Sequence, residues 1–230
     1  MAMRGLKLAV WDMDGTIVDS REVIQGAMAR AFEALDLAPP PYDATRQIVG
    51  LSLDEACRRL TPEGFDPREL PRLVEAYKDA FIAQRAAPDF EEPLYAGALE
   101  ALQGLAEAGW LIAMATGKSH RGIRAVFERH PMEPLFDTIW CADDGPGKPH
   151  PFMVEQAMKA VGAAAAGTVV IGDAVHDMQM SRAAGASAFG VSWGFGAPHE
   201  LDAAGAHEVH HDFDTLNAAL ARFGEDVAGG

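Results

Sequence analysis

From Gly97 onward, short apolar runs alternate with stretches of helical periodicity. Residues 110–115, 138–141, 168–171 and 188–191 are brief, largely apolar runs, the pattern of strands buried on both faces. Between them, residues 98–108, 120–130, 151–161 and 177–184 read as helices. Residues 208–210 predict a last short strand and residues 214–223 a last helix. Strands and helices in strict alternation predict βαβ units with right-handed crossovers, hence a doubly wound α/β parallel sheet. One more apolar run, residues 6–11, stands far upstream and supplies the first strand.

The intervening stretch follows a different rule. No strand signal is strong between Ser20 and Pro93. Residues 21–37 read as an amphipathic helix with Val23, Ala27, Ala31, Ala34 and Leu35 among its apolar positions, ended by Pro39, Pro40 and Pro41. Residues 53–60 and 67–85 predict further helices, and residues 88–93 a linker. The expected organisation is therefore an α/β core of residues 1–16 and 92–230, with an all-helical domain, residues 17–91, inserted after the first strand.

Chemistry enters where that first strand stops. Asp12 ends the apolar run, and Asp14, Gly15 and Thr16 follow at once. Side chains alternate along a strand, so Asp12 and Asp14 can project to one side, at the sheet edge where α/β proteins bind ligands. Two carboxylates about 4 Å apart repel by roughly 4 kcal/mol at an effective dielectric near 20, so something must offset them. A hard divalent cation does so, and Mg2+ favours one or two carboxylates together with phosphate oxygens.

Composition narrows the partners. A formal net charge of -15 argues against nucleic acid and against an anionic membrane surface, and it requires a local cationic site for any anionic substrate. Cys57 and Cys141 are the two cysteines and form no close pair, so a disulfide framework or a zinc site is not expected. No run approaches the roughly 18 apolar residues of a membrane span, and the stretch after Arg4 and Lys7 is too short for a secretory signal. The expectation is a soluble, cytoplasmic protein, monomeric because no association stripe is visible. His207, His210, His211 and Asp212 do not predict a metal site, since adjacent strand residues face opposite ways. Trp11, Phe81, Trp110 and Phe127 read as packing residues.

The stretch D-M-D-G-T-I-V-D-S, residues 12–20, resembles the first motif of the haloacid dehalogenase-like superfamily of phosphohydrolases. The helical insert straight after it matches the position of what that family calls a type 1 cap, over a Rossmann-like core. The resemblance implies that Asp12 is a nucleophile forming an aspartyl-phosphate and that Asp14 is the acid and base, roles that suit carboxylates. A-M-A-T-G-K, residues 113–118, is similar to the second motif, implying that Thr116 binds the phosphoryl group beside Gly117, at a helix start where free N–H groups favour an anion. G-K-P-H-P, residues 147–151, resembles the third, with Lys148 the cation on nucleophile and phosphoryl oxygens and Lys118 a rival. V-V-I-G-D-A-V-H-D, residues 169–177, resembles the fourth, implying Mg2+ ligands at Asp173 and Asp177 to join Asp12 and Asp14, with Asp177 alternatively orienting Lys148. Residues 45–52 are similar to the cap loop that enters the site, which puts Arg46 forward as a substrate contact.

The implied activity is Mg2+-dependent hydrolysis of a small phosphate monoester, of the phosphoglycolate or sugar-phosphate type. Asp14 favours ester cleavage, because an alkoxide leaving group needs a proton. β-Phosphoglucomutases share nearly the same motifs, and a non-catalytic relative that binds a phosphorylated ligand is the remaining alternative.

Overall fold

A computed structural model describes residues 5–229. The first four residues and Gly230, which the expected core includes, lie outside the described residues. The strands are β1 (Leu8–Trp11), β2 (Leu111–Thr116), β3 (Thr138–Cys141), β4 (Thr168–Gly172), β5 (Ser187–Val191) and β6 (Glu208–His210). They form one sheet in the order β3-β2-β1-β4-β5-β6, parallel throughout, with Trp11 level with Met114 on one side and Ile171 on the other. A sheet of this topology needs helices on both faces, and the side chains of β1 show why the register holds. Ala9 and Trp11 face a cluster with α5 (Ala98–Glu107), α6 (His120–Phe127) and α10 (Phe213–Gly229). Leu8 and Val10 face the opposite cluster with α7 (Phe152–Val161) and α8 (Val175–Ala183). A slip of one residue would exchange the two sets. Full burial of each large side chain contributes about 1.5–3 kcal/mol, so every strand is pinned.

The helices between β1 and α5 bury their apolar faces mainly against each other. α1 (Arg21–Glu33), α3 (Leu53–Leu60) and α4 (Leu70–Arg85) share a cluster built on Met28, Phe32, Cys57 and Leu73, and α2 (Tyr42–Arg46) lies against α1. The chain leaves and re-enters the core along one narrow seam. Asp19 donates its N–H to the Pro93 carbonyl at 2.8 Å, and Tyr95 donates to Ile17 at 2.9 Å.

Several boundaries differ from expectation for local reasons. α1 stops at Glu33 rather than at residue 37, because the chain turns through Asp36 with φ of 56°, upstream of the prolines. Pro67–Glu69 is a 3-10 turn leading into α4. α2 and α9 (Pro198–Ala203), of 5 and 6 residues, are too short to show a period.

Candidate active site

Asp12 continues the β1 ladder by donating its N–H to Ile171 at 2.9 Å, so the carboxyl edge of the sheet fixes where its side chain begins. The carboxylate is buried and meets two others: Asp12, Asp173 and Asp177 bring oxygens within 4.8 Å of one another. Asp173 follows β4 directly, and Asp177 stands in the first turn of α8, where its Oδ2 accepts the Ala174 N–H at 3.0 Å. Lys148 arrives on the loop after β3, its ammonium 2.5 Å from Asp12 Oδ1 and 2.6 Å from Asp177 Oδ1, with a side chain that is 0% exposed.

Burial raises the Asp12 pKa well above the carboxylate range; Lys148 opposes the shift, while Asp177 and Asp173 add to it. Burial also pushes Asp173 up, to about 7, reinforced by Asp177 and opposed by the hydrogen bonds from the Phe195 N–H and the Thr16 hydroxyl. For Lys148 burial acts downward, but Asp12 and Asp177 outweigh it and hold the ammonium above its ordinary range. Three buried carboxylates thus share one buried cation. Asp12 Oδ2 has no hydrogen-bond partner among the described residues. An all-oxygen donor set with an orphaned buried oxygen fits a hard divalent ion.

This arrangement gives a signed pH dependence in protein freed of divalent ions. The folded pKa of Asp173, about 7, lies above its reference value of 3.8. Its stabilising contribution is present in full below the reference value and is lost as pH rises through the folded one. The thermal midpoint in EDTA is expected to fall between about pH 5 and about pH 8, and added Mg2+ to raise it more at the higher pH. Equal Mg2+ increments at both pH values, read by calorimetry, would contradict a cation on these carboxylates.

The structure does not bring Asp14 into the cluster. Both of its oxygens accept from the Lys118 ammonium, at 2.6 and 2.8 Å, and Lys118 is further enclosed by Glu92 at 3.9 Å and the Phe81 ring at 5.4 Å. The two lysines therefore divide the two aspartates, Lys148 taking Asp12 and Lys118 taking Asp14. Thr116 ends β2 and is buried, and its hydroxyl accepts the Lys118 N–H at 3.2 Å. Ser119, not Thr116, caps α6, accepting from Gly122 at 3.2 Å. A Cβ on Gly117 would stand 2.5 and 2.6 Å from the carbonyl oxygens of Leu51 and Gly50, so the bare backbone there lets the insert's loop descend onto the sheet edge.

Arg46 also departs from expectation: it does not line the cleft. Its guanidinium holds Glu200 in two hydrogen bonds of 2.8 and 3.1 Å, because α2 turns that face toward α9. The cleft, about 600 Å³, is floored by Asp12, Asp14 and Thr116. Ile24, Met28, Tyr77 and Phe81 of the insert stand among its walls. The histidines flanking β6 make contacts of their own: His207 Nδ1 accepts the Ala188 N–H at 2.8 Å while its Nε2 meets the Arg182 guanidinium, and His211 meets the Ser192 hydroxyl at 2.7 Å.

A parallel sheet carrying acidic groups and buried lysine at its carboxyl edge, beneath a helical insert, defines an α/β enzyme that works at strand ends. Within that class the chain belongs to the haloacid dehalogenase-like hydrolases, whose family model matches residues 9–191. It is 32% identical over 213 residues to a protein of Dickeya dadantii described as "Probable phosphatase IndB", with 92% of each chain covered. A phosphoglycolate phosphatase of Caulobacter vibrioides is 31% identical over 211 residues, covering 88% of this chain and 86% of that one. Among solved structures, a hydrolase from Pseudomonas syringae matches with a TM-score of 0.82 at 26% identity, over 93% of this chain and 97% of that one.

Proposed function

We propose that this chain is a Mg2+-dependent phosphatase that hydrolyses a small phosphate monoester through an aspartyl-phosphate on Asp12. The observation that carries the reading is the Asp12 carboxylate itself, buried, held by Lys148 at one oxygen and unpartnered at the other. The names of the Dickeya and Caulobacter relatives point the same way.

Asp12 attacks phosphorus in line, the ester P–O bond breaks, and Asp14, which must enter this step protonated and with one oxygen released from Lys118, gives its proton to the departing alkoxide. Asp14 then takes a proton from a water that attacks the acyl phosphate, releasing inorganic phosphate and restoring the Asp12 carboxylate and the proton on Asp14. The Thr116 hydroxyl, the backbone at Gly117 and the Lys148 ammonium hold the transferring group's oxygens and balance their charge. Mg2+, held by Asp12 and Asp173 with Asp177 keeping Lys148 in place, would neutralise further negative charge on the phosphoryl group. The helical insert acts as a cap over residues 12 to 16, and its wall of Ile24, Met28, Tyr77 and Phe81 chooses the leaving alcohol. A reducing, cytoplasmic setting accords with Cys57 and Cys141, both buried and free.

The test is phosphate release with Mg2+ and with EDTA, against 2-phosphoglycolate, sugar phosphates, nucleoside monophosphates and β-glucose 1-phosphate. Mg2+-dependent release from at least one ester supports the proposal. No release from any of them defeats it, and isomerisation of β-glucose 1-phosphate instead makes the enzyme a mutase. Gly117→Ala probes the closure of cap on core. Its added Cβ would press on carbonyl oxygens 2.5 and 2.6 Å away and lift the insert's loop. A misplacement near 1 Å can cost on the order of 10^2-fold, which is the expected loss in kcat/KM with a small change in melting temperature.

A further inference from the structure

Arg46 is left without a role at the cleft, and what it does instead leads to Asp173. Both oxygens of that carboxylate are held by donors tied to one segment, residues 193–197, which follows β5. Phe195 donates its N–H to Asp173 Oδ2 at 2.7 Å. Thr16 donates its hydroxyl to Asp173 Oδ1 at 2.9 Å, and the Thr16 carbonyl is in turn held by the Trp193 indole N–H at 3.1 Å. The segment lies flush on the carboxylate, since a Cβ at either Gly15 or Gly194 would collide with Asp173 Oδ2.

The same segment is anchored in the helical insert. Phe195 is 4% exposed and belongs to the insert's apolar cluster, which also holds Met28 and Leu73. The Phe195 carbonyl accepts from Arg46 Nη1 at 3.4 Å. Arg46 also grips Glu200 bidentately, at 2.8 and 3.1 Å, and Glu200 Oε2 accepts the Ala197 N–H at 2.9 Å. A single residue, Phe195, therefore carries both the N–H that touches Asp173 and the carbonyl and side chain that touch the insert. Lifting the insert away must either break the paired guanidinium–carboxylate hydrogen bonds or drag the Phe195 N–H off Asp173.

We propose that Arg46, Glu200 and Phe195 are positioning residues that couple docking of the insert to the readiness of Asp173 to bind a divalent cation. The inference rests on the cation reading given above. Such coupling is reciprocal: if the docked insert tightens cation binding by some factor, the cation favours docking by the same factor. Partners that orient a metal-binding carboxylate typically change metal affinity by about 10–100-fold when removed. Here the Phe195 N–H is displaced rather than deleted, so a loss on the order of 10-fold is expected.

The experiment is calorimetric titration of the whole, substrate-free chain with Mg2+, paired with small-angle scattering with and without the ion. Glu200→Gln and Arg46→Gln are expected to bind Mg2+ about 10-fold more weakly and to lose any compaction that Mg2+ induces in the unsubstituted chain. The exchanged pair Arg46→Glu with Glu200→Arg restores the charge pairing but neither the donor to the Phe195 carbonyl nor the acceptor for the Ala197 N–H, and is expected to recover part of both, where a general loss of packing would recover neither. Arg58→Gln removes an ion pair of the same insert that does not touch the segment, and should leave the affinity as it was. Should the glutamine variants not fold, Arg46→Lys keeps the charge, removes the paired geometry and is expected to fall in between. Unchanged Mg2+ affinity in folded variants overturns the coupling while leaving the cation reading standing. Absence of Mg2+ binding by the unsubstituted chain overturns both.

Discussion

Asp12→Asn is expected to reduce phosphate release by at least about 10^3-fold while leaving the protein folded and, in EDTA, no less stable. Asparagine has the shape of aspartate but cannot attack phosphorus as an anion, so the proposed covalent route closes while the cleft keeps its form. The stability half of the expectation follows from electrostatics. Burial holds the Asp12 carboxylate well above its ordinary pKa, which means that its charge is costly in protein freed of divalent ions, and Asp177 and Asp173 increase that cost. Removing the charge relieves the repulsion, and Lys148 is not orphaned, because Asp177 remains 2.6 Å away. Release assays and calorimetry on the same preparation separate the two effects. Activity within about ten-fold of the unsubstituted enzyme would remove Asp12 from the nucleophile's role.

Most of the core could be read from the chain because a parallel sheet covered on both faces writes itself as apolar runs. β3 and β6 begin and end at the expected residues, and β2 and β4 are displaced by one residue at most at each end. α10 runs on to Gly229, past the expected end at residue 223, through a polar tail whose sequence shows no apolar period. Asp173, Asp177 and Lys148 were put forward by the resemblance of their motifs, and the ends of β1 and β4, the loop after β3 and the first turn of α8 converge on one edge. What the sequence could not show is which charges face each other across the fold. Lys118 stands in plain view after Thr116 and Gly117, yet its partner Asp14 is 104 residues away, and Glu200 lies 154 residues from Arg46. Phe195 carries no signal as a residue near the site, since its N–H, not its side chain, touches Asp173. Alternation along a strand explains why Asp14 was placed with the other acids: it fixes a face, and a cation on a neighbouring loop then decides where the carboxylate turns.

Lys148→Ala is expected to do the opposite of Asp12→Asn to stability while also disabling the enzyme. Its ammonium is enclosed by Asp12 at 2.5 Å and Asp177 at 2.6 Å, and its side chain reaches no solvent. Removing one partner from a buried ion pair costs about 3–5 kcal/mol, because the charge left behind has neither water nor a counterion. For a chain of this length 1 kcal/mol corresponds to roughly 2–4 °C, so the melting temperature in EDTA near neutral pH should fall by about 10 °C. The loss should shrink as the solution is acidified, since protonation can then neutralise the orphaned carboxylates, whose pKa burial has already raised at Asp12. Mg2+ should restore more stability to this variant than to the unsubstituted chain, the ion taking over the balancing of charge. It should not restore turnover, since in the proposed mechanism the ammonium also holds Asp12 and the phosphoryl oxygens in line, and a loss on the order of 10^2-fold or more should persist at saturating Mg2+. Rescue of stability without rescue of rate is the signature of a lysine that does two jobs, one electrostatic and replaceable, the other geometric and not. A variant as stable as the unsubstituted chain in EDTA would mean that the three carboxylates do not need Lys148 for charge balance, and the electrostatic account of the site would fall.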